Sequence, residues 1–306
     1  MKKEAEAPYK FESLSDFHRV LGLPKPLHPL ISLVYNTTGK LPSCDYFPDK
    51  FTMAFYKVSY KPNLQGKFKY GQHYYDHDEG GLFFISPNHV TGTSETNLDY
   101  TGFTLFIHPD FFLGYSLAKK IKQYGFFSYA AAEVLQLSDA EKTTILAIAK
   151  IIDEELKSRI DDFSQDVIIS QIELFLNYSN RFYKRQFITR KAVNNDLLQK
   201  LEEVLDEYFN TDKSLNQGIP TVQYLSERLN MSSSYLSDML RSLTGQNAQQ
   251  HIHQKLIEKA KEKLSTTSLS ISEVAYALGF EHLQSFSKLF KTKTKLSPLA
   301  FRRSFN

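Results

Sequence analysis

The spacing of apolar positions changes character along the chain. Between residues 30 and 112, the runs "ISLVYN", "FTMAFYKVSYK", "KFKYGQHYYDHD", "GLFFISPNHV" and "DYTGFTLFIHP" are rich in β-branched and aromatic residues and are broken by Gly, Pro, Asn or Asp. Short runs of this kind with no helix between them predict antiparallel strands, as a barrel or a sandwich, over about 28–112. From residue 138 the period becomes helical. "SDAEKTTILAIAKIIDEELKSRI" opens on Ser138 with Glu141 three residues later, a capping-box pattern, and carries Ile145, Ile148, Ile152 and Leu156 along one side. "SQDVIISQIELFLNYSNRFYKRQ" follows, with Val167, Ile168, Ile172, Leu176 and Tyr183 along one side. Together they predict a helical hairpin over about 138–186, whose stripes pack on the strands or on a second subunit.

The polar stretch "ITRKAVNND" places a domain boundary at about 187–195, dividing the chain into 1–187 and 195–306. Beyond it the pattern is helical throughout, beginning with "LLQKLEEVLDEYF", and it repeats itself. "VQYLSERLNMSSSYLSDMLRSLTG" and "ISEVAYALGFEHLQSFSKLFKTKTKLSP" match when Ser226, Leu229 and Met231 are set on Ala275, Leu278 and Phe280, an offset of 49. Leu236 and Leu240 then fall on Phe286 and Phe290 at an offset of 50, so the second copy holds one more residue in its turn. Each copy reads as helix, tight corner, helix, over about 221–244 and 271–294. Small residues at Ser226 and Ala275 let the paired helices approach, Gly279 supplies a positive φ, and Ser232 is placed to cap a second helix. Between the copies, Asn247 as N-cap, Gln250 at N3, and Ile252, Leu256, Ala260 and Leu264 predict one continuous helix over about 247–265. About 17 residues at 1.5 Å each make a bar of some 25 Å. Major-groove faces of B-DNA recur at about 34–36 Å, so such a bar would carry two helices into successive grooves.

Composition narrows the class. The 306 residues suffice for two domains with cores of their own. No apolar run approaches the length of a bilayer span, and "MKKEAEAPYKFESL" has no apolar stretch behind its lysines, so neither a membrane segment nor a secretory signal is expected. A single cysteine, Cys44, allows no internal disulfide and no thiolate zinc cluster, and fits a reducing cytoplasm. The net charge of +3 is unevenly spread: from Phe187 to Asn306 there are 16 Lys+Arg against 12 Asp+Glu, leaving 21 against 22 elsewhere. After Glu281 come Lys288, Lys291, Lys293, Lys295, Arg302 and Arg303, and no acid. A one-signed patch at one end suits an anionic polymer; a solvated helix face is the lesser alternative.

The motifs "LSERLNMSSSYLSDML", "TGQNAQQHI", "LIEKAKEKL", "ISEVAYALGF", "FSKLFK" and "LSPLAFR", in this order, resemble the DNA-binding domain of the AraC/XylS family of bacterial transcription regulators over about 196–305. The strands followed by a helical hairpin resemble that family's cupin-like partner domain by order of elements. The resemblance implies a multidomain α+β chain, with a cupin-like antiparallel barrel and hairpin followed by an all-α double helix-turn-helix domain. It implies sequence-specific binding to double-stranded DNA, a homodimer formed through the N-terminal helices, a small-molecule effector and RNA polymerase as a partner, with no cofactor. Two positions depart from the family. Lys295 stands where the family generally has a glycine, whereas the first copy keeps Gly245. Lysine in the left-handed C-cap conformation costs on the order of 1 kcal/mol, so either the turn differs or the added charge offsets the strain near phosphate. Leu256 stands where the family often has an arginine, which removes a phosphate contact from the linker.

If each second helix lies in a major groove, its outward face reads bases and its flanks touch phosphate. In the first copy Leu236 and Leu240 point inward, leaving Ser233, Ser234, Ser237, Asp238 and Arg241 outward. Matched to the family, Ser234, Ser237 and Asp238 hold base-reading places. Serines reach little, and Asp238 accepts from a cytosine amino group but is repelled by phosphate, so the first copy is expected to be the more permissive reader. In the second copy Phe286 and Phe290 point inward, leaving His282, Leu283, Gln284, Ser287 and Lys288. Gln284 suits the adenine edge, Lys288 the guanine edge and Leu283 a thymine methyl. Ser233, Arg241, His282, Lys291, Lys293, Lys295, Arg302 and Arg303 are the phosphate candidates, and they make binding steeply salt-dependent.

An enzyme reading finds little support. His73, His77, Asp78 and Glu79 in "GQHYYDHDEGG" invite a metal, but "DHDEGG" reads as a solvated hairpin turn, and no metal is expected. His89 and His108 sit at strand ends beside Asn or Pro and read as structural. No nucleophile triad, phosphate loop or paired-carboxylate spacing stands out. Phe83, Phe84, Phe103 and Phe106 either line an apolar ligand pocket or fill the core. A cupin-type enzyme or sugar-binding module fused to a DNA-targeting domain is the alternative from another class; a regulator controlled by abundance alone is a third.

Overall fold

The computed structural model describes residues 8–36, 48, 50–62, 67–70, 73–76, 81–92, 101–130, 133–158, 161, 163–189, 191–211 and 213–305. The chain divides into two compact units, Met1–Gln186 and Phe187–Asn306. In the first unit the elements run β1 (Tyr9–Phe11), α1 (Leu14–Val20), β2 (Ile31–Asn36), β3 (Lys50–Met53), β4 (Tyr56–Lys61), β5 (Lys67–Tyr70), β6 (His73–Asp76), β7 (Gly81–Ile85), β8 (Thr91–Gly92) and β9 (Gly102–Ile107). A run of short helical turns over residues 109–128, which includes α2 (Leu117–Lys120), leads to β10 (Leu135–Gln136), α3 (Asp139–Lys157) and α4 (Ser164–Thr189).

The strands form three sheets. Five pair antiparallel in the order β10-β7-β4-β9-β2, three in the order β1-β3-β8 with β1 parallel to β3, and β5 pairs with β6. This corrects the expectation of a closed barrel: among the described residues the five-stranded sheet is open, with β2 and β10 at its edges. Strand density and turn residues forecast strands, but closure depends on which distant edges meet. What covers the sheet is an aromatic layer. Tyr56, Val58 and Tyr60 of β4, Leu82 and Phe84 of β7, and Phe103, Leu105 and Ile107 of β9 are all buried on one face. Phe126 and Phe127 pack on it, with ring centroids 4.4 Å from Phe84 and 4.9 Å from Tyr56. Helix α4 adds Tyr183, stacked 5.6 Å from Phe126, and Phe175, 6.3 Å from Phe103. Aromatic pairs of this kind are each worth about 0.5–1.5 kcal/mol beyond the area they bury. A second cluster, around Phe11, Phe17, Phe55 and Phe106, seats β1 and α1.

The hairpin helices form near the forecast bounds, and Glu141 accepts from the Ser138 backbone N–H at 2.9 Å. Ile145, Ile148, Ile152, Ile168, Ile172, Leu176 and Tyr183 are buried, but Val167 faces out at 38% exposure. Phe175, Ser179 and Phe182 take the inward side instead. Of the four aromatics left between pocket and core, Phe84, Phe103 and Phe106 are core and Phe83 is partly buried on the opposite sheet face. His108 caps the turn at Pro109–Phe112, its Nδ1 accepting from the Asp110 N–H, and His89 is exposed. His77, Asp78, Glu79 and Cys44 lie outside the described residues.

The second unit contains α5 (Lys191–Asn210), α6 (Lys213–Gln217), α7 (Val222–Arg228), α8 (Ser233–Thr244), α9 (Ala248–Thr266), α10 (Ile271–Ala277), α11 (Leu283–Thr294) and α12 (Pro298–Arg303). The stretch read as a polar separator is helical at every described position, through Thr189 and again from Lys191. Its polar residues contain no Pro or Gly, and Lys, Arg and Ala propagate helix well. Helix α5 buries Leu197, Leu201, Leu205 and Tyr208. Lys255 of α9 reaches back to Glu202 at 3.0 Å and Asp206 at 2.8 Å, and its hydrogen bond holds the Asp206 carboxyl below its usual value.

Candidate nucleic-acid interface

Each helix pair is set by its caps and its corner. Thr221 and Ser232 accept from the N–H groups of Tyr224 and Tyr235, opening α7 and α8. Ser270 with Glu273, and Asn247 with Gln250, form reciprocal capping boxes at α10 and α9. Leu225, Ser226, Leu236 and Leu240 are buried in the first pair, and Val274, Ala275, Phe286 and Phe290 in the second. The corners turn through left-handed residues, Asn230 at φ 55° and Gly279 at φ 87°, which the offset of 49 places in register. Asparagine tolerates that conformation better than most side chains.

The second corner is further constrained. A Cβ on Gly279 would stand 2.5 Å from the carbonyl carbon of Gly218 and 2.8 Å from the Ser214 carbonyl oxygen. Ser214 Oγ donates to the Ala277 carbonyl at 2.8 Å, and the Tyr208 hydroxyl donates to the Gly218 carbonyl at 3.0 Å. Thus α6 and the turn after it buttress the corner from behind. These residues carry no chemistry in the sequence; the only trace is the turn signal "NQGIP".

The outward faces differ. On α11, Gln284, Lys288, Lys291, Lys293 and Lys295 are exposed, as is His282 at its N-cap, while Leu283 and Ser287 are partly buried. On α8, Tyr235, Leu236, Met239 and Leu240 are all buried, leaving Ser234, Ser237 and Asp238 partly buried and Arg241 exposed. Asp238 pairs with Arg241 at 2.9 Å, so the cation of this face is already engaged one turn from the acid. Ser233 turns into the corner. Ser226 Oγ donates to the Gln223 carbonyl at 2.9 Å, so in the 2.9 Å contact between the two hydroxyls Ser233 is the donor. Its proton is not offered to phosphate. Arg302 is also drawn inward, its Nε donating to the Leu264 carbonyl at 3.3 Å, where it satisfies the last turn of α9; Arg303 stays exposed.

Lys295 adopts φ 65°, and Gly245 adopts φ 78°; their N–H groups bond the carbonyls of Lys291 and Arg241 at 2.9 and 3.0 Å. The turn is therefore the same in both copies. Thr244 and Thr294 repeat the likeness, each hydroxyl bonding the carbonyl four residues back at 2.8 Å. Leu256 is a core residue of α9.

Two matched helix pairs on one connecting helix define a double helix-turn-helix domain. Residues 225–304 match a family model described as a helix-turn-helix domain. The chain is 26% identical over 259 residues to the uncharacterized HTH-type transcriptional regulator YfiF of Bacillus subtilis, covering 81% of this chain and 77% of that protein. It is 32% identical over 84 residues to the raffinose operon transcriptional regulatory protein RafR of Pediococcus pentosaceus, 28% of this chain and 30% of that one, so it spans under a third of that relative. Among solved structures, the C-terminal domain of the response regulator yesN from Fusobacterium nucleatum is 32% identical, with 35% of this chain, 98% of that chain and a TM-score of 0.31. The C-terminal unit is an AraC-type helix-turn-helix domain. No helix among the described residues is long and apolar enough to cross a membrane.

Proposed function

We propose that the chain is a sequence-specific, double-stranded-DNA-binding transcription regulator of AraC type, with α8 and α11 as its two readers. One observation carries this: two helix pairs share one set of core positions and the same left-handed C-cap, yet α11 keeps an exposed basic face that the fold itself does not use. Gln284 and Lys288 read base edges, with Leu283 and Ser287 beside them, while Lys291, Lys293, Lys295, His282 and Arg303 hold phosphate. In the first copy Ser234, Ser237 and Asp238 face the bases, and Arg241 divides its charge between Asp238 and the backbone. The 19 residues of α9 make a rod of about 28 Å, which suits readers in successive grooves on one side of the duplex.

The N-terminal unit senses a small molecule or joins two copies, and so alters how the readers are presented. The dimer role is supported by Val167 and Leu174, seven residues apart on α4 and both exposed. RNA polymerase and a cytoplasmic location follow from the same reading. Selection from a random duplex library tests it. Two short preferred blocks about one helical turn apart are expected, with Lys288→Ala weakening the second. Equal recovery of all sequences would refute the regulator assignment.

A further inference from the structure

On the face of the five-stranded sheet opposite its aromatic layer, one cross-strand row reads Ser32 of β2, Phe106 of β9, Lys57 of β4 and Ile85 of β7. Ser32 and Phe106 are buried, Ile85 packs against the cluster that seats α1, and Phe55, two residues before Lys57, is fully buried in that cluster. Lys57 is partly buried among them, so its amine is walled by apolar groups yet within reach of a small solute. No carboxylate stands in this row, nor does one on the next at Ser59 or at its cross-strand neighbours Thr104 and Phe83. Among the described residues Lys57 has neither an ion-pair partner nor a hydrogen-bond partner.

Phe106 has a second unsatisfied nitrogen beside it. The His18 ring lies 6.2 Å from the Phe106 ring, and its Nδ1 is 2.6 Å from the Pro24 carbonyl oxygen. A carbonyl only accepts, so Nδ1 carries the proton and Nε2 keeps a bare lone pair, buried and without a partner. The row therefore holds one nitrogen that lacks an acceptor and lies near another that lacks a donor, where an apolar pair would fill the space at no such cost. Burial, and then the charge of Lys61, lower the Lys57 amine to about 8. At neutral pH roughly a tenth of it is the free amine, against well under a thousandth of an ordinary lysine. An uncharged amine in a desolvated setting is a nucleophile.

We propose that Lys57 is a covalent site for small apolar aldehydes, held as an imine on its Nζ. The lone pair of the free amine forms a C–N bond to the carbonyl carbon, and one N–H proton moves to the carbonyl oxygen, giving a carbinolamine. That hydroxyl leaves as water with the remaining N–H proton while the C=N bond forms, so nothing is oxidised or reduced. Acyl donors would bring charged or bulky leaving groups into an apolar row, whereas an aldehyde is uncharged and releases only water. The imine also removes the charge that the row fails to pair. The inference gives a ligand class to the sensing role proposed above. It rests on that role only for any effect on DNA, since the site itself stands on the sheet.

Reductive alkylation of the whole chain at pH 7 tests it, with butanal as the probe, cyanoborohydride to fix the imine and peptide mass mapping to locate it. Lys57 is expected to be alkylated roughly tenfold faster than the exposed Lys291. Without the reductant, butanal is expected to raise the thermal midpoint of the parent by a few degrees and to leave Lys57→Arg unmoved. Lys57→Met is expected to be more stable than the parent at pH 7. That gap narrows as the pH rises from about 8 to about 10.5, because the unfolded chain there still holds the proton that folded Lys57 has lost. Alkylation of Lys57 no faster than that of Lys291 overturns the proposal, as does equal stabilisation of Lys57→Arg or a gap that ignores pH. Faster labelling by the charged aldehyde glyoxylate overturns the apolar ligand class. DNA selection by Lys57→Arg is expected to match the parent, so failure here with DNA selectivity intact removes the aldehyde site and leaves the regulator reading standing.

Discussion

The two helix-turn-helix copies share their frame and differ in what they show outward. Both bury the same positions, both cap their first helix with a hydroxyl, Thr221 or Ser270, and both close on a left-handed residue behind a threonine. Yet α8 presents short serines and a self-paired Asp238–Arg241, while α11 presents an amide and a row of lysines. Frame and face are thus set by different residues. The frame is fixed by burial and backbone conformation, and the face is free to specialise, in this chain toward one permissive and one strongly charged reader.

Changes to the frame are expected to be the most damaging, and the corners give the sharpest contrast. Gly279→Ala sets a methyl against Gly218 in a left-handed backbone and is expected to cost about 3 kcal/mol or more, measured by urea unfolding, with DNA binding lost. Asn230→Gly, at the matching corner, is expected to change stability by only a few tenths of that. Next come the readers. Lys288→Ala is expected to weaken specific binding roughly 10- to 100-fold, whereas Ser234→Ala and Ser237→Ala change it little; equal losses in both copies would remove the asymmetry. The double change Lys291→Ala and Lys293→Ala is expected to flatten the salt dependence by about two counterions. Lys295→Gly separates frame from face at one residue. It should raise stability by about 1 kcal/mol through relief at the cap while lowering the salt slope by less than one counterion. The smallest effect belongs to Asp238→Asn. Freeing Arg241 is expected to strengthen non-specific binding roughly two- to fivefold, the scale of an exposed ion pair, as read by fluorescence anisotropy on unrelated duplexes.

Most of the second unit was legible because its signals are local. A 3.6-residue period, Ser232 and Asn247 as caps, and an offset repeat need only a few neighbouring residues, and they located α7 through α11 closely. What escaped was settled by contacts distant in sequence. Ser214 and Gly218 matter because Gly279, some sixty positions on, comes to rest against them. Ser233 and Arg302 read as outward cations or donors until Ser226 and the end of α9 claim them. In the first unit the strands themselves were visible, but the open sheet and the parallel pairing of β1 with β3 were not, since sheet order is decided between segments that share no local pattern.

The glycine-on-glycine packing behind the second corner sets a lower limit on the smallest autonomous reader. A fragment cut at residue 225, where the family match begins, would leave Gly279 bare on its rear side and strip the helix that ties down α9. Trimming for crystallisation or for a one-domain binding assay should therefore keep everything from Lys191 onward.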